Sequence, residues 1–284
     1  MSVETDIDFD PFSVEMYEDP YPTYKLLRDH APVFHTTKYA LEFYALSRYE
    51  DIVYAAREHS IFSSRQGVDL DHTDSLIVPN HVANSDPPEH DVLRALIQPW
   101  FSPKRLQTEV EPQLRQRVQN IVKDLAKTTP LDADTLAWDI GMAGVQIMHA
   151  VPSEDLKRIE NWMRPVFRRK AGDPSMPMEA IYSGKAICEY MRGHVDRIKS
   201  DSMDENQDII SMLLQGDETP TEDQLHRIVP HLIVGQSGTT QDLICRALHC
   251  LASHPDQRRW LAEHPGGIPN AIEEVFRFAS PVQH

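Results

Sequence analysis

Cysteine is scarce in this sequence, with only Cys188, Cys245 and Cys250 in a chain of 284 residues. Their number is odd, and no two of them have the CxxC spacing of a zinc or redox site. A chain of this length can also build a hydrophobic core without disulfide bonds. We therefore exclude a disulfide framework and a zinc site, and we predict that the cysteines are buried small apolar residues.

Long apolar runs and basic residues are scarce as well. No segment approaches the ~18 consecutive apolar residues of a membrane helix, and Met1–Pro11 lacks the basic and apolar regions of a secretion signal. Lys and Arg number 28 against 44 Asp and Glu, a formal net charge of −16. Nucleic acid is a poor partner for such a chain, because its phosphates need cationic contacts. We predict a cytoplasmic protein without a membrane anchor.

The longest helical pattern runs from Thr221 to His254. Thr221 and Gln224 have the spacing of a capping box, in which each side chain accepts a hydrogen bond from the backbone N–H of the other residue. Apolar residues then recur mostly in steps of three and four, at Leu225, Ile228, Val229, Leu232, Ile233, Leu243, Ile244, Ala247, Leu248 and Leu251. Such a helix is about 50 Å long and can cross a whole domain.

The centre of this helix, Gly235–Thr240, is a poor helix-forming sequence. Gly235 and Gly238 each cost about 1 kcal/mol relative to alanine, and the hydroxyls of Thr239 and Thr240 can bond to earlier carbonyls. We expect the helix to kink or open here. An opening would suit a small ligand beside the backbone, whereas the alternative is a close helix crossing that the glycines permit.

The remaining pattern is mainly helical, with a small sheet near the N-terminus. An entry loop from Pro11 precedes the first helix, and strands at Val33–Thr36 and Glu42–Ser47 form a hairpin. Helices are predicted at Tyr21–Asp29, Tyr49–Arg57, Asp86–Gln98, Pro103–Lys127, Ala133–Ala150, Glu154–Lys170, Met178–Ser200, Asp208–Gln215, Asp256–Glu263 and Pro269–Phe278. The fold class that follows is mainly α.

Two charged pairs stand on these predicted helices. Asp86 is a predicted N-cap, and His90 and Arg94 lie four residues apart on one face of the helix that it starts. They could hold one anionic group together, or they could be an exposed polar face. Glu274 and Arg277 have the spacing of an ion pair on the last helix.

Five motifs follow one another along the chain. They are Asp86-Pro-Pro-Glu-His90 with Arg94, Gln98-Pro-Trp-Phe-Ser-Pro103, Gly235–Thr240, Ser253-His-Pro-Asp256, and Glu274-Val-Phe-Arg277 with Ser280-Pro-Val282. In this order and at these separations they closely resemble the soluble bacterial cytochrome P-450 monooxygenases. The resemblance covers essentially the whole chain and implies the cytochrome P-450 fold, with residues 1–284 forming a single, incomplete domain.

The resemblance implies a role for each motif. His90 and Arg94 would bind a propionate of haem b, and Gly235 would lie beside the oxygen site. Thr239 would help to deliver protons. Glu274 and Arg277 would form the buried structural ion pair of the family. The enzyme would insert one oxygen atom from O2 into an apolar small molecule, with electrons from a ferredoxin-like or flavoprotein donor.

This sequence departs from the family at the proton-delivery segment. An Ala-Gly pair and an acid usually precede the threonine, but these positions hold Gly235, Gln236 and Gly238. The catalytic set is then Thr239, Gly238 and Gln236. Either Gln236, Ser237 and water replace the carboxylate, or oxygen activation is slow, or the oxidant differs.

A second departure concerns the iron ligand. The family binds haem iron through a cysteine thiolate in a glycine-rich loop beyond the Glu-x-x-Arg helix, and none of the three cysteines stands in such a motif. We expect the chain to correspond to the first two thirds of a monooxygenase, and to lack its activity. The alternative is a haem-free, inactive fragment or a helical binding module of the same ancestry. Lys104, Arg105, Arg115 and Arg117 are predicted to form a basic docking face for an acidic electron carrier.

Overall fold

A computed structural model describes residues 7–38, 42–70, 77–78, 80–127, 130, 132–200 and 208–282. Its helices are α1 (Val14–Glu18), α2 (Tyr21–His30), α3 (Tyr49–Arg57), α4 (Glu89–Ile97), α5 (Pro103–Arg105), α6 (Glu111–Leu125), α7 (Ala133–His149), α8 (Ser153–Val166), α9 (Met178–Ser200), α10 (Ile209–Gln215), α11 (Glu222–Ser253), α12 (Pro255–Glu263) and α13 (Ile268–Phe278). Short 3₁₀ turns cover Val82–Asn84, Gln98–Phe101 and Pro265–Gly267. The predicted mainly α fold is confirmed.

The predicted hairpin is also confirmed. Strands β1 (Val33–Thr36) and β2 (Phe43–Leu46) pair antiparallel, with Val33 opposite Leu46 and Thr36 opposite Phe43. Within the described residues they form one two-stranded sheet.

Two helices differ from their predictions for local reasons. α1 was expected to be loop, but the Ser13 hydroxyl accepts a hydrogen bond from the Met16 N–H and starts one helical turn, which is too short to show a period. α8 ends at Val166 and not at Lys170, directly after Pro165, which cannot donate a helical hydrogen bond.

The segment predicted as one helix from Pro103 to Lys127 is helical but not uniform. Between α5 and α6, Leu106–Val110 is a π-helical turn, in which the backbone bonds span five residues instead of four. The Thr108 hydroxyl donates to the Lys104 carbonyl at 2.9 Å within this stretch.

The chain divides into two compact units, Met1–Arg94 with Pro165–Lys185, and Ala95–Arg164 with Ala186–His284. In the first unit, buried Phe9, Met16 and Leu27 form a core beside the hairpin. The Phe9 ring meets Phe34 and Phe43 edge-on, with centroids 5.7 and 6.5 Å apart. Aromatic side chains therefore hold the sheet to the first helices.

The second unit is built around α7 and α11, which form the most extensive helix–helix contact. α7 is apolar nearly all round, and its buried residues include Leu136, Trp138, Met142 and Val145. α11 begins with the predicted capping box, in which the Thr221 hydroxyl accepts from the Gln224 N–H at 3.2 Å and the Gln224 side chain accepts from the Thr221 N–H at 2.8 Å. The expected central helix is confirmed.

Candidate functional site

The centre of α11 stays α-helical, so the predicted opening at Gly235–Thr240 is wrong. The hydroxyls form their hydrogen bonds within the helix. Ser237 Oγ donates to the Ile233 carbonyl at 2.6 Å, and Thr239 Oγ1 donates to the Gly235 carbonyl at 2.7 Å. Both bonds join residues four apart and leave the backbone N–H ladder intact. Ser237 and Gly238 are buried, whereas Gly235 is exposed.

The structure contains the predicted alternative, a close crossing of two helices. Glycines other than Gly235 permit it. A Cβ atom at Gly235 would have no neighbour within 4 Å among the described residues. On α7, a Cβ at Gly141 would lie 3.8 Å from the Ser237 carbonyl oxygen, and a Cβ at Gly144 would lie only 2.8 Å from Gln236 Nε2. The glycines of α7 therefore make the space that α11 occupies.

Gln236 lies over Gly144 and beside His149, near the C-terminal end of α7. The His149 side chain is completely buried, and burial lowers its pKa to about 3, partly offset by the Gln236 side chain, which favours the protonated ring. Neither ring nitrogen of His149 nor Oε1 of Gln236 has a hydrogen bond of normal geometry in the described part of the chain. Each such buried group costs about 1–3 kcal/mol, so a small rotation that joins them is favourable.

His194 of α9 holds the backbone of the same region. Its Nε2 lies 2.8 Å from the His149 carbonyl oxygen, and the Arg197 guanidinium lies 3.3 Å from its Nδ1. Burial lowers the pKa of His194 as well. The two histidines are therefore neutral groups in a dry part of the fold.

An apolar cavity of about 350 Å³ opens beside this crossing, and its wall is almost entirely carbon. It is lined by Trp100, Phe101, Leu106, Val110, Leu114, Gly144, Met148, His231, Leu232, Gly235 and Gln236. Gly235 and Gln236 thus form part of a cavity wall within the second unit, whereas Thr239 does not line it.

A polar network that the sequence did not reveal holds α11 just beyond Thr239. Gln241 Nε2 donates to Asp134 of α7 at 2.9 Å, and Arg164 of α8 donates to the same carboxylate at 2.8 Å. Arg164 also donates to Glu160 at 2.8 Å and lies over the Trp138 ring, 4.8 Å from its centroid. Three helices therefore meet at the Asp134 carboxylate.

His90 and Arg94 stand on α4 in the first unit. His90 Nδ1 lies 2.8 Å from the Val82 carbonyl oxygen, which orients the ring, and Arg94 is exposed in the last turn. Asp86, the predicted N-cap, instead holds a loop: its carboxylate accepts from the Ser63 hydroxyl at 2.5 Å and the Ser64 N–H at 2.9 Å. These two bonds lower the pKa of Asp86.

Glu274 and Arg277 form the predicted ion pair, with two bonds of 2.7 Å. The bonds lower the pKa of Glu274. However, the side chains of Glu274 and Arg277 are 58% and 69% exposed, so the burial that the resemblance implied is not present within the described residues. The pair is at the surface because no described residue covers that face of α13.

Comparison with curated proteins identifies the family of this chain. Cytochrome P450 130 of Mycobacterium tuberculosis is 30% identical over 97% of this chain and 70% of its own length. The chain belongs to the cytochrome P450 family. Putative cytochrome P450 123 of Mycobacterium bovis is 28% identical over 99% of the chain and 70% of its own length. Models of known protein families give no match.

Solved cytochrome P450 structures confirm the fold. P450BioI, solved in complex with an acyl carrier protein that carries hexadec-9Z-enoic acid, has a TM-score of 0.82 at 24% identity, over 96% of this chain and 71% of its own. The polyketide synthase cytochrome P450 PksS of Bacillus subtilis also gives 0.82, at 20% identity, over 96% and 70%. Cytochromes P450 are haem-dependent monooxygenases. None of the described helices is long and apolar enough to cross a membrane.

Proposed function

We propose that this cytochrome P450 chain supplies the haem-propionate contacts and the oxygen-side helix of a monooxygenase that inserts one oxygen atom from O2 into an apolar small molecule. The observation that carries the proposal is its 30% identity to Cytochrome P450 130 along nearly the whole chain. We infer a ferredoxin-like or flavoprotein electron donor and a cytoplasmic location.

The α4 pair fits an anionic group of haem. The exposed Arg94 guanidinium stands one turn after His90, whose ring is already oriented by Val82, so the two side chains can grip one carboxylate. Bound haem would supply the iron at which oxygen is activated. From the family resemblance we assign haem contact to His90, Arg94 and Gly235.

Proton delivery rests on Thr239 in this proposal. Its hydroxyl is partly accessible and already donates to the Gly235 carbonyl, so a rotation about χ1 can present it to a water molecule. Ser237 is buried and bonded, Gln236 is turned toward α7, and Gly238 has no side chain. Of the substitutes that the sequence left open for the absent acid, water at Thr239 is therefore the one that the geometry favours.

The iron ligand is not one of the three cysteines in this proposal. Burial raises the pKa of Cys188 to about 11, and burial together with the Asp134 charge raises that of Cys245. Iron binding needs a thiolate, which both environments oppose. Cys250 stands at the end of α11, away from the Gly235–Thr239 segment.

The predicted basic docking face offers an acidic partner fewer unpaired cations than its formal charge implies. Arg105 pairs with Glu109 and stacks on Trp100, Arg115 pairs with Glu111 at 2.6 Å, and Arg117 donates to Gln146. Lys104 is the exposed cation of the four without such a contact in the described region. Docking of an acidic carrier would depend mainly on Lys104.

The test compares the chain with an extended protein. Residues 1–284 are fused to the part of Cytochrome P450 130 outside the matched region, and both proteins are loaded with haem. We expect the red-shifted Soret band of thiolate ligation in the reduced carbon monoxide difference spectrum of the fusion, and only weak haem uptake without that band in the chain alone. Arg94→Ala should lower the haem content of the fusion, whereas Lys123→Ala, on the exposed part of α6, should not.

Two outcomes would contradict the proposal. A fusion with native helical content by circular dichroism but no haem would favour a haem-free helical module. A red-shifted band from the chain alone would mean that Cys188, Cys245 or Cys250 reaches the iron.

A further inference from the structure

Gln236 stands where the family usually has a glycine, and α7 accommodates it. The Gln236 side chain lies over Gly144 so closely that a Cβ there would come within 2.8 Å of its Nε2. The bare backbone of Gly144 is thus matched to the larger residue opposite it. Any side chain at position 144 would displace Gln236.

The other end of the amide meets a buried group. Gln236 Oε1 and the His149 ring are both shielded from solvent, and neither has another hydrogen-bond partner in the described part of the chain. The Gln236 side chain is the neutral group that favours protonated His149. Gly144, His149 and Gln236 therefore form one contact, called here the Gln236 anchor.

A second contact holds α11 on the other side of Thr239. Gln241 binds Asp134, and Arg164 binds the same carboxylate from α8. We call Gln241, Asp134 and Arg164 the Gln241 anchor. The two glutamines stand three residues before and two residues after Thr239; Gln236 packs on α7 at Gly144, and Gln241 donates a hydrogen bond to Asp134 of α7.

We propose that Gln236 is a positioning residue, and that the Gln236 anchor and the Gln241 anchor together fix how α11 is rotated against α7 and so where the Thr239 hydroxyl points. A helix held at one point can still turn about its axis, but a helix held on both sides of a residue cannot. Whether this orientation matters for catalysis depends on the proposed function. The claim that the two anchors set the orientation does not depend on it.

The experiment is a double-mutant cycle in the full chain without added haem. Gly144→Ala should be less favourable in the native background than in the Gln236→Ala background, by a factor of about three or more in the folding equilibrium constant, because only in the native background must the new Cβ displace the Gln236 amide. In the Gln236→Ala background the same change should be neutral or stabilising, since alanine forms helix better than glycine and no other described atom lies near its Cβ. Gln257→Ala, an exposed glutamine of α12, is the matched control and should be neutral.

A test of the positioning role must measure the surroundings of the Thr239 side chain directly. In protein labelled at threonine methyl groups, the Thr239 resonance is identified by its loss in Thr239→Ser. We expect it to shift in Gln236→Ala, in Gly144→Ala and in Gln241→Leu, but not in Gln257→Ala.

Each result decides the proposal. If Gly144→Ala is less favourable in the native background than in the Gln236→Ala background, Gln236 fills the space over Gly144 as described. If it has the same effect in both backgrounds, or if the Thr239 methyl resonance does not move when either anchor is removed, the proposal is wrong. These measurements need no haem. A failure of the fusion to bind haem would therefore overturn the proposed function and leave this inference standing.

Discussion

Thr239 and Thr240 are neighbours on α11, and the Thr239 hydroxyl donates a hydrogen bond to the Gly235 carbonyl. In the haem-loaded fusion, Thr239→Val should raise the share of electrons lost as peroxide, because in the proposed function the Thr239 hydroxyl delivers protons and valine replaces it with a methyl group of similar size. The measurement is the ratio of peroxide formed to reduced cofactor consumed.

Thr240→Val is the control for this change, since it removes a hydroxyl one position away. Gly238→Glu, which restores the acid usual in the family, should lower the share of peroxide. Equal ratios in all of these proteins would show that Thr239 has no part in proton delivery.

His149 makes stability depend on pH. Its pKa falls to about 3 in the folded chain, while the unfolded chain binds the proton near its ordinary value of 6.5. Between these values only the unfolded state is protonated, so the folded state loses about 1.4 kcal/mol for each pH unit as the pH falls. Above pH 6.5 His149 is neutral in both states and the free energy of unfolding does not depend on it; below pH 6.5 the free energy of unfolding declines.

Urea unfolding at several values between pH 7 and pH 5 tests this dependence. His149→Phe should flatten the slope, although His194, whose pKa is lowered by the same burial, keeps part of it. His59→Gln, at an exposed loop histidine, should leave the slope as it is; an unchanged slope in His149→Phe would refute the assignment.

At the scale of elements, Arg164 is the centre of the contact among α7, α8 and α11. Its side chain is 27% exposed and its partner Glu160 only 6%. Arg164→Met should lower the free energy of unfolding by about 2 kcal/mol, less than for a fully buried pair, because Lys157 also contacts Glu160 at 2.9 Å. The measurement is chemical denaturation at pH 7.

The exposed pair of α13 is the comparison. Arg277→Met breaks an ion pair of similar geometry in solvent, where water replaces the lost contact, and should cost much less. If Glu160→Gln does not recover part of the loss in Arg164→Met, the effect is due to packing on Trp138 and not to charge.

A helix could be predicted from the sequence where the residues that cause it lie within the helix itself. Thr221 and Gln224 start α11 with their own side chains, and α9 has its predicted bounds, because caps and periods lie within the helix. The direction of Gln236 depends on which helix crosses α11, and no spacing within α11 contains that information. The available signal was on α7, where Gly141-Met-Ala-Gly144 places three small residues in one turn.

The polar contacts of the site were the least predictable for the same reason. Gln241 meets Asp134 across more than a hundred residues of chain. Arg164 reaches the same carboxylate from a third helix. The motifs could therefore single out Thr239 as a candidate site residue but could not indicate which side chains of other helices hold α11 near it.

For the whole molecule, the net charge of −16 opposes an acidic electron donor, so its approach would depend on few exposed cations. Lys104→Glu should slow reduction of the fusion by a ferredoxin-like donor, most clearly at low salt, because screening removes the effect at high ionic strength. The measurement is the reduction rate against ionic strength.

Arg115→Glu alters the net charge equally, but at a guanidinium already paired with Glu111. Equal rates for the two variants would show that only the total charge matters and that Lys104 marks no docking face.

The π-helical turn at Leu106–Val110 has a consequence for how this chain can vary. Such a turn holds one residue more than an α-turn, and each residue advances a helix by about 100°. It therefore absorbs one extra residue within a single turn, and the residues after it, including Leu114 at the cavity wall, keep the phase of an uninterrupted helix. A one-residue deletion in this turn would convert it to an α-turn and leave the apolar stripe of α6 facing α7, whereas the same deletion within α6 would rotate every later residue by about 100°, so a deletion is tolerated at one place in this stretch and not at the other.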